Sequence, residues 1–264
     1  MPRFSIVIPA YNEEAYLADT LQSLKKQTFR GEVEVIVVDN NSTDATAQVA
    51  KQAGAKLVSE KNVGVCWARQ AGTQAAKGQI IVSTDADTTF DKDWLANIDD
   101  VFTANPDIVA IAGRCKFVDP PYWARVYPAI LFGSVNFIYQ LTGKTIYGSA
   151  TNIAFRKSSW DSYDTSLTQG GDELHLIHNL QTKGKVAFYN DNPTYTSSRR
   201  LTRGFFYNFV VSFLIYYILE YNLSRLFKRP VIGACPTFRT NSFHQSPFVI
   251  RLKSHLPATK TLIK

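Results

Sequence analysis

The chain has 264 residues, nearly half of them apolar, and a formal net charge of +7. This length is enough to bury the core of one domain, with or without an appendage, and the apolar and aromatic content excludes a disordered chain. The odd, widely spaced cysteines Cys66, Cys115 and Cys235 exclude a disulfide scaffold and show no metal-binding spacing, so buried thiols in a reducing compartment are expected.

In chain order, the first 115 residues alternate between two periodicities. "FSIVIPA" (4–10) reads as a strand, and residues 13–28 place Leu17, Leu21 and Leu24 at helical spacing. "VEVIVVD" (33–39) is a second strand. A helix follows over 42–54, with a capping signature at its start and Gly54 at its end. A short strand at 55–60, a helix at 64–78, a fourth strand at 79–85, a helix at 91–106 and a fifth strand at 108–113 complete the series. This alternation predicts an α/β fold, a Rossmann-like, mostly parallel sheet with helices on both faces. Ligands of such sheets bind beyond the carboxyl ends of the strands, where Asp39 and Asp85 fall.

After residue 115 the pattern loosens. Residues 122–143 are apolar and aromatic, and 146–160 read as one strand with turns. "GGDELHLIHNLQTKG" (170–184) reads as a helix, and 185–190 as a strand.

Charge is unevenly spread. From Arg199 onward there are eleven Lys and Arg against one acid, Glu220, while residues 1–198 hold 18 bases and 21 acids. Within this basic region, "GFFYNFVVSFLIYYIL" (204–219) has no charge, and Arg199, Arg200 and Arg203 precede it. Arg225, Lys228 and Arg229 follow it. It is shorter than the roughly 20 apolar residues of a membrane-crossing helix. Flanking bases and aromatics suit a helix lying in an anionic membrane interface, with residues 126–141 joining it; a buried helix pair closing the acceptor side is the other reading. A continuous apolar run argues against nucleic acid as a partner, because single strands need exposed bases interleaved with stacking aromatics. The apolar run near the amino terminus is too short for a signal peptide.

The chemistry concentrates at "IIVSTDADTTF" (80–90), where an apolar strand ends in two aspartates one residue apart. Asp85 and Asp87 at that spacing can face one divalent ion, and hard oxygen ligands suit Mg²⁺ or Mn²⁺. An Asp-rich capping turn would look the same. Asp39, followed by Asn40, Asn41 and Ser42, can accept hydrogen bonds from a nucleotide or cap a helix. Glu13 can serve the same pocket or favour a helix dipole.

Four blocks in order, "SIVIPAYNEEAYLADTLQSL", "VEVIVVDNNSTDAT", "NVGVCWARQAGTQAAKGQIIVSTDAD" and "GGDELHLIHNLQTKGKV", resemble the family 2 glycosyltransferases, which have the GT-A fold. The resemblance covers most of residues 3–200. It implies a GT-A domain over 1–200; the charge and aromatic pattern above marks 201–264 as a basic, aromatic, helical segment expected to associate with a membrane. The resemblance also implies that Pro9, Ala10, Tyr11 and Glu13 line a nucleotide pocket, with Asp39 at the base. Asp85 and Asp87 become the metal pair, the Mg²⁺ or Mn²⁺ bridging the donor diphosphate, and Asp85 also belongs to the nucleotide site. The implied reaction is inverting transfer from a nucleotide-sugar, by family frequency a UDP-sugar. The expected acceptor is a lipid-linked or cell-envelope glycan, and the expected place is cytoplasmic, peripheral on the inner membrane face.

One block departs from the family. Members usually read Glu-Asp in the base motif, and this chain reads Asp172-Glu173. Residue type selects Asp172 as base; counting back from Leu180 and Gly184 selects Glu173. Both also suit a helix first turn. Family members often place a metal-holding histidine further on, where this chain reads "TYTSSRRLTRG". Arg199, Arg200 and Arg203 there suit a diphosphate, an acceptor phosphate or a solvated basic face. His175 and His178, three apart, read as helix surface rather than a metal pair.

"DADTT" also fits the D-x-D-x-T motif of haloacid-dehalogenase-type phosphatases with Asp85 as nucleophile, but it follows the fourth strand and not the first. A nicotinamide site would need glycine in "PAYNEE", and an EF-hand would not place Phe90 and Ala96 at its sixth and twelfth positions. A non-catalytic nucleotide-sugar-binding homologue is the remaining alternative.

Overall fold

The structure, a computed structural model, describes residues 1–167, 172–220, 223 and 231. Eight strands form one sheet: β1 (Phe4–Ala10), β2 (Val33–Asp39), β3 (Lys56–Ser59), β4 (Ile80–Ser83), β5 (Thr88–Phe90), β6 (Ile108–Val118), β7 (Ile153–Arg156) and β8 (Lys185–Ser197). Their spatial order is β3-β2-β1-β4-β7-β6-β8-β5. The helices are α1 (Leu17–Lys25), α2 (Thr46–Gln52), α3 (Val65–Ala75), α4 (Trp94–Ala104), α5 (Tyr127–Thr142) and α6 (Asp172–Gln181). Beyond β8, a helical turn at Gly204–Phe206 runs into a π-helical segment at Tyr207–Glu220.

Side-chain alternation along the buried strands builds two cores. Phe4, Ile6 and Ile8 of β1 pack with Leu17 and Leu21 of α1, Ala50 of α2 and Trp94 and Ile98 of α4. Val7, between them, joins Ala68 of α3 and Leu176, Ile177 and Leu180 of α6 on the other face. Helices therefore cover both faces, as expected. A smaller cluster seats Phe132 and Val135 of α5 on Cys115 and Phe188.

The sheet is mixed rather than uniformly parallel. β1, β2, β3 and β4 run parallel, as do β6 and β8. β7 lies antiparallel to β4 and β6, and β5 antiparallel to β8. The predicted fifth strand and last strand extend well past their apolar runs, to Val118 and Ser197, and their far ends pair with each other. β5 was not predicted. It is a three-residue strand held only by β8, from Thr88 opposite Thr196 to Phe90 opposite Thr194.

The join between these halves is buried Asn152. Its side-chain amide donates to the carbonyls of Arg114 (2.9 Å) and Asn192 (2.8 Å), and its oxygen accepts from the Trp94 indole (3.1 Å). Gly113 leaves the room: a Cβ there would come within 2.3 Å of that amide.

Candidate active site

The site forms where β1, β2 and β4 end. Ala10 and Asp39 lie opposite each other in register, and the turns that follow are stitched together. Asn12 and Asn41 take left-handed backbone conformations there (φ 54° and 66°), which asparagine tolerates better than most residues. The Asn12 amide N–H donates to Ser42 Oγ at 3.0 Å, and Thr43 N–H donates to Asn12 Oδ1 at 2.7 Å. Asp39 Oδ1 accepts from Ser42 N–H at 3.1 Å, so one of its oxygens shapes the turn. Glu13 is buried, its N–H donating to Thr46 Oγ1 at 2.7 Å. Pro9 and Ala10 close β1, and Tyr11 is exposed beyond them.

β4 stops at Ser83, opposite Val7, three residues before β1 ends. The chain released there is the turn that carries both aspartates. Ala86, between them, is buried, and its carbonyl accepts from Thr20 Oγ1 at 2.8 Å. The Asp87 carbonyl accepts from Ser197 N–H at 3.1 Å, fixing the turn to the end of β8.

Two arginines organise the acids, and the sequence reading missed the first. Arg69 of α3 is 3% exposed, with its guanidinium between the turn and α6. Its Nη2 pairs with Asp85 Oδ1 at 2.8 Å, and its Nε lies 3.1 Å from Asp172 Oδ2, an ion pair without hydrogen-bond alignment. Nη1 donates to Ser83 Oγ. Burial works against the charged guanidinium, but Asp85 and then Asp172 outweigh it and hold Arg69 more firmly protonated than usual. A signal for this residue was available: Arg69 is the only charge on α3, and Cys66 and Thr73 at its i−3 and i+4 positions are buried.

The second is Arg199, just after β8. Its Nη1 and Nη2 grip Glu13 in a fork, at 2.8 and 2.6 Å, and Nη2 also lies 3.0 Å from Asp87 Oδ2. The guanidinium stacks over Tyr16 at 4.6 Å. Of the three arginines predicted at the site, Arg199 pairs directly with Glu13 and Asp87. Arg200 is exposed, and Arg203 donates to the Tyr207 hydroxyl at 3.2 Å and stacks on that ring. Burial raises the Asp87 carboxyl above the usual carboxylate range; Arg199 opposes that rise and Asp85 adds to it.

Asp172 and Glu173, at the start of α6, are both buried, each 7% exposed. The structure therefore gathers the acids into two groups, Asp85 and Asp172 on Arg69, and Glu13 and Asp87 on Arg199, which meet at the turn carrying Asp85 and Asp87. Four carboxylates against two guanidiniums leave a surplus of two negative charges, which suits one divalent cation. Among the described residues Asp85 Oδ2 takes part in no hydrogen bond or ion pair, so a hard oxygen donor is available at the turn. Among the described residues no three His, Cys, Asp or Glu side chains converge on a common metal position. The donor set thus fits a cation held by two carboxylates, the rest of its shell coming from water or donor oxygens, as Mg²⁺ accepts. His178 is exposed and His175 lies 3.4 Å from Asn179 on the same helix, in keeping with a helix surface.

Residues 5–163 match glycosyl transferase family 2. The chain belongs to that family. It is 25% identical over 211 residues to the poly(ribitol-phosphate) beta-N-acetylglucosaminyltransferase TarS of Staphylococcus aureus, covering 76% of this chain and 36% of that protein. It is 27% identical over 195 residues to the glucosyl-dolichyl phosphate glucuronosyltransferase of Haloferax volcanii, covering 67% of this chain and 60% of that protein. The chain thus spans about a third of the first relative's length and less than two thirds of the second's. Solved family 2 structures share the fold. S. aureus TarS 1–349 in complex with UDP superposes with a TM-score of 0.61 at 20% identity, over 74% of this chain and 60% of that one. The mannosyltransferase PcManGT of Pyrobaculum calidifontis, in complex with GDP-Man and Mn²⁺, gives 0.63 at 22% identity, over 74% and 56%. The GT-A expectation therefore holds for the sheet and its helices. The predicted C-terminal appendage falls largely outside the described residues, as does Cys235.

Proposed function

We propose that this family 2 member is an inverting, metal-dependent glycosyltransferase that moves a sugar from a nucleotide-sugar to a lipid-linked or cell-envelope glycan. The observation that carries this reading is the bridge Asp85–Arg69–Asp172, which ties the aspartate turn to the start of α6. A donor-gripping pair and an acid–base group need such a fixed separation. In this reading Pro9, Ala10, Tyr11, Glu13 and Asp39 surround the nucleotide. Asp85 and Asp87 would hold Mg²⁺ or Mn²⁺, which when bound neutralises charge on the leaving diphosphate. Arg199, whose fork holds Glu13, sits beside Asp87 and places a positive charge next to the aspartate turn, where it would favour a diphosphate.

The base is Glu173. Asp172 is held in an ion pair by the buried guanidinium of Arg69, which commits its carboxylate to fixing the start of α6 against the aspartate turn. Asp172 then takes the place of the acidic partner in the motif, and Glu173, one residue on, takes the proton. The acceptor hydroxyl gives its proton to Glu173 as its oxygen attacks the anomeric carbon. The bond to the diphosphate breaks, the nucleoside diphosphate leaves with that electron pair, and the configuration inverts.

A UDP donor is supported by the TarS complex with UDP, and a glycan or lipid-phosphate acceptor by the names of the two relatives above. Work at the inner membrane face fits the acid-poor aromatic segment after Arg199. No helix among the described residues is long and apolar enough to cross a membrane.

The test is donor hydrolysis, with water as acceptor, across UDP-glucose, UDP-N-acetylglucosamine and GDP-mannose. Glu173→Gln should lower turnover about 100-fold or more with nucleotide affinity unchanged. Asp172→Asn should act mainly on stability. The reverse pattern would move the base to Asp172, and no turnover of any donor by wild type would remove the transferase reading.

A further inference from the structure

A second cationic site lies away from the acid network. Between the far half of β6 and the start of α5 is a groove of about 270 Å³. Arg114, Lys116 and Arg125 line it with Phe117, Pro120 and Pro128, and no carboxylate does. Among the described residues none of the three cations forms a salt bridge. Lys116 and Arg125 lie over the rings of Tyr195 and Tyr122, at 5.5 and 6.0 Å. Arg114 Nε is buried with no hydrogen-bond partner, an uncompensated donor on a cation. Buried polar groups are nearly always satisfied, so such a donor marks the place of an anionic acceptor.

The surroundings narrow the anion's class. From the groove, α5 carries Ile130, Phe137 and Leu141 along one side, each at least 64% exposed. Their spacing of seven and four residues keeps them on one face. From Pro120 to Trp160 the sequence has no Asp or Glu. A basic groove thus continues into an exposed apolar stripe free of carboxylates.

The groove also opens close to the chemistry. Phe117 is opposite Thr196 in the β6–β8 register, and Thr196 Oγ1 donates to Asp87 Oδ1 at 3.3 Å. A ligand held there lies one strand pair from the aspartate turn.

We propose that Arg114, Lys116 and Arg125 form a phosphate-binding groove that seats the phosphate of the acceptor, with α5 covering the apolar part of a lipid-borne one. This deepens the acceptor side of the transferase reading and depends on it only for the word acceptor. The phosphate can belong to a lipid in a bilayer or to a soluble phosphate ester.

The test uses the full chain, wild type and Arg114→Gln/Lys116→Gln, with a second variant, Lys116→Glu/Arg125→Glu, confined to two exposed side chains. Co-sedimentation with phosphatidylglycerol or phosphatidylcholine vesicles addresses the lipid source, and ³¹P titration with glycerol 3-phosphate the soluble one. UDP affinity and the thermal midpoint are measured on every variant. Wild type should bind phosphatidylglycerol vesicles, glycerol 3-phosphate or both, and both variants should weaken that binding at least tenfold, with UDP affinity and thermal midpoint unchanged. Loss on vesicles alone assigns a lipid phosphate; loss on glycerol 3-phosphate alone assigns a soluble ester. Absence of wild-type binding to either probe, or binding equal in wild type and variants, overturns the groove. Loss of UDP affinity in step with phosphate overturns it too, by making these cations part of the donor site. Failure of UDP to bind wild type would instead strike the transferase reading, with phosphate binding read separately.

Discussion

Arg69 shows how one buried side chain can set the roles of several others. Its guanidinium neutralises Asp85 and Asp172 from a position almost without solvent. Replacing it with methionine keeps most of the volume but leaves two carboxylates without their cation, Asp172 buried and Asp85 partly exposed. Removing one partner of a buried ionic pair costs about 3–5 kcal/mol, so Arg69→Met should lower the urea unfolding free energy by that order. Arg69→Lys should recover part of it, because an ammonium lacks the fork that reaches Ser83 and both acids at once. A loss under about 1 kcal/mol in Arg69→Met would mean that the triad is not a coupled buried unit. At this scale the sequence disclosed the acids better than their partners. Asp85, Asp87, Asp39 and Glu13 stand at strand ends, where an unpaired charge needs a reason. Arg69 sits within a helix, where one cation attracts little notice, and only the buried residues on its own face reveal it. The pairing of Arg199 with Glu13 spans 186 residues, and no local pattern encodes such a contact.

At the scale of elements, the βα alternation of the first hundred residues was legible because each strand is a short apolar run and each helix has an apolar stripe. Boundaries were less so. Predicted helix 42–54 is ordered as Thr46–Gln52, because Asp44 bonds the Thr46 N–H (3.0 Å) and hydroxyl, and the chain before it belongs to the turn that follows β2. Burial opposes ionisation of Asp44, but the bonds from Thr46 and the Glu14 N–H outweigh it and leave the carboxyl below its ordinary value. A carboxyl lowered on folding stabilises above its unfolded value, about 3.9, and loses that contribution as pH falls through the folded value. Asp44→Ala should therefore cost about 1 kcal/mol at neutral pH. The difference from wild type should shrink as pH falls below the unfolded value and through the lower folded one, when the two are compared by chemical denaturation across pH. A pH-independent difference would place the effect elsewhere. The direction of β7 and the existence of β5 were not legible: a four-residue strand after a loop pairs either way, and β5 exists only because β8 continues past its apolar run to receive it.

The whole molecule divides its charge by task. The acid-rich sheet ends gather a surplus of negative charge at the aspartate turn, and the bases collect in the β6–α5 groove and after Arg199. In the proposed reading, a donor site for a divalent cation and an acceptor side for phosphate work side by side only if the two fields stay apart. Here β6 and β8 separate them by the width of a strand pair. The order of the four sequence blocks carried the overall fold, because that order fixes which strands end beside one another. The basic character of the groove stayed hidden, since Arg114, Lys116 and Arg125 come together only when β6 runs on beyond its apolar core.

Calorimetric titration of UDP and GDP, with and without Mn²⁺, on wild type and Asp87→Asn tests whether Asp85 and Asp87 hold a divalent cation that grips a nucleotide's diphosphate. Mn²⁺-dependent binding of one nucleotide, UDP first, is expected for wild type, weakened at least tenfold in a variant that folds as wild type does. Equal affinity in the variant, or binding indifferent to Mn²⁺, would contradict it.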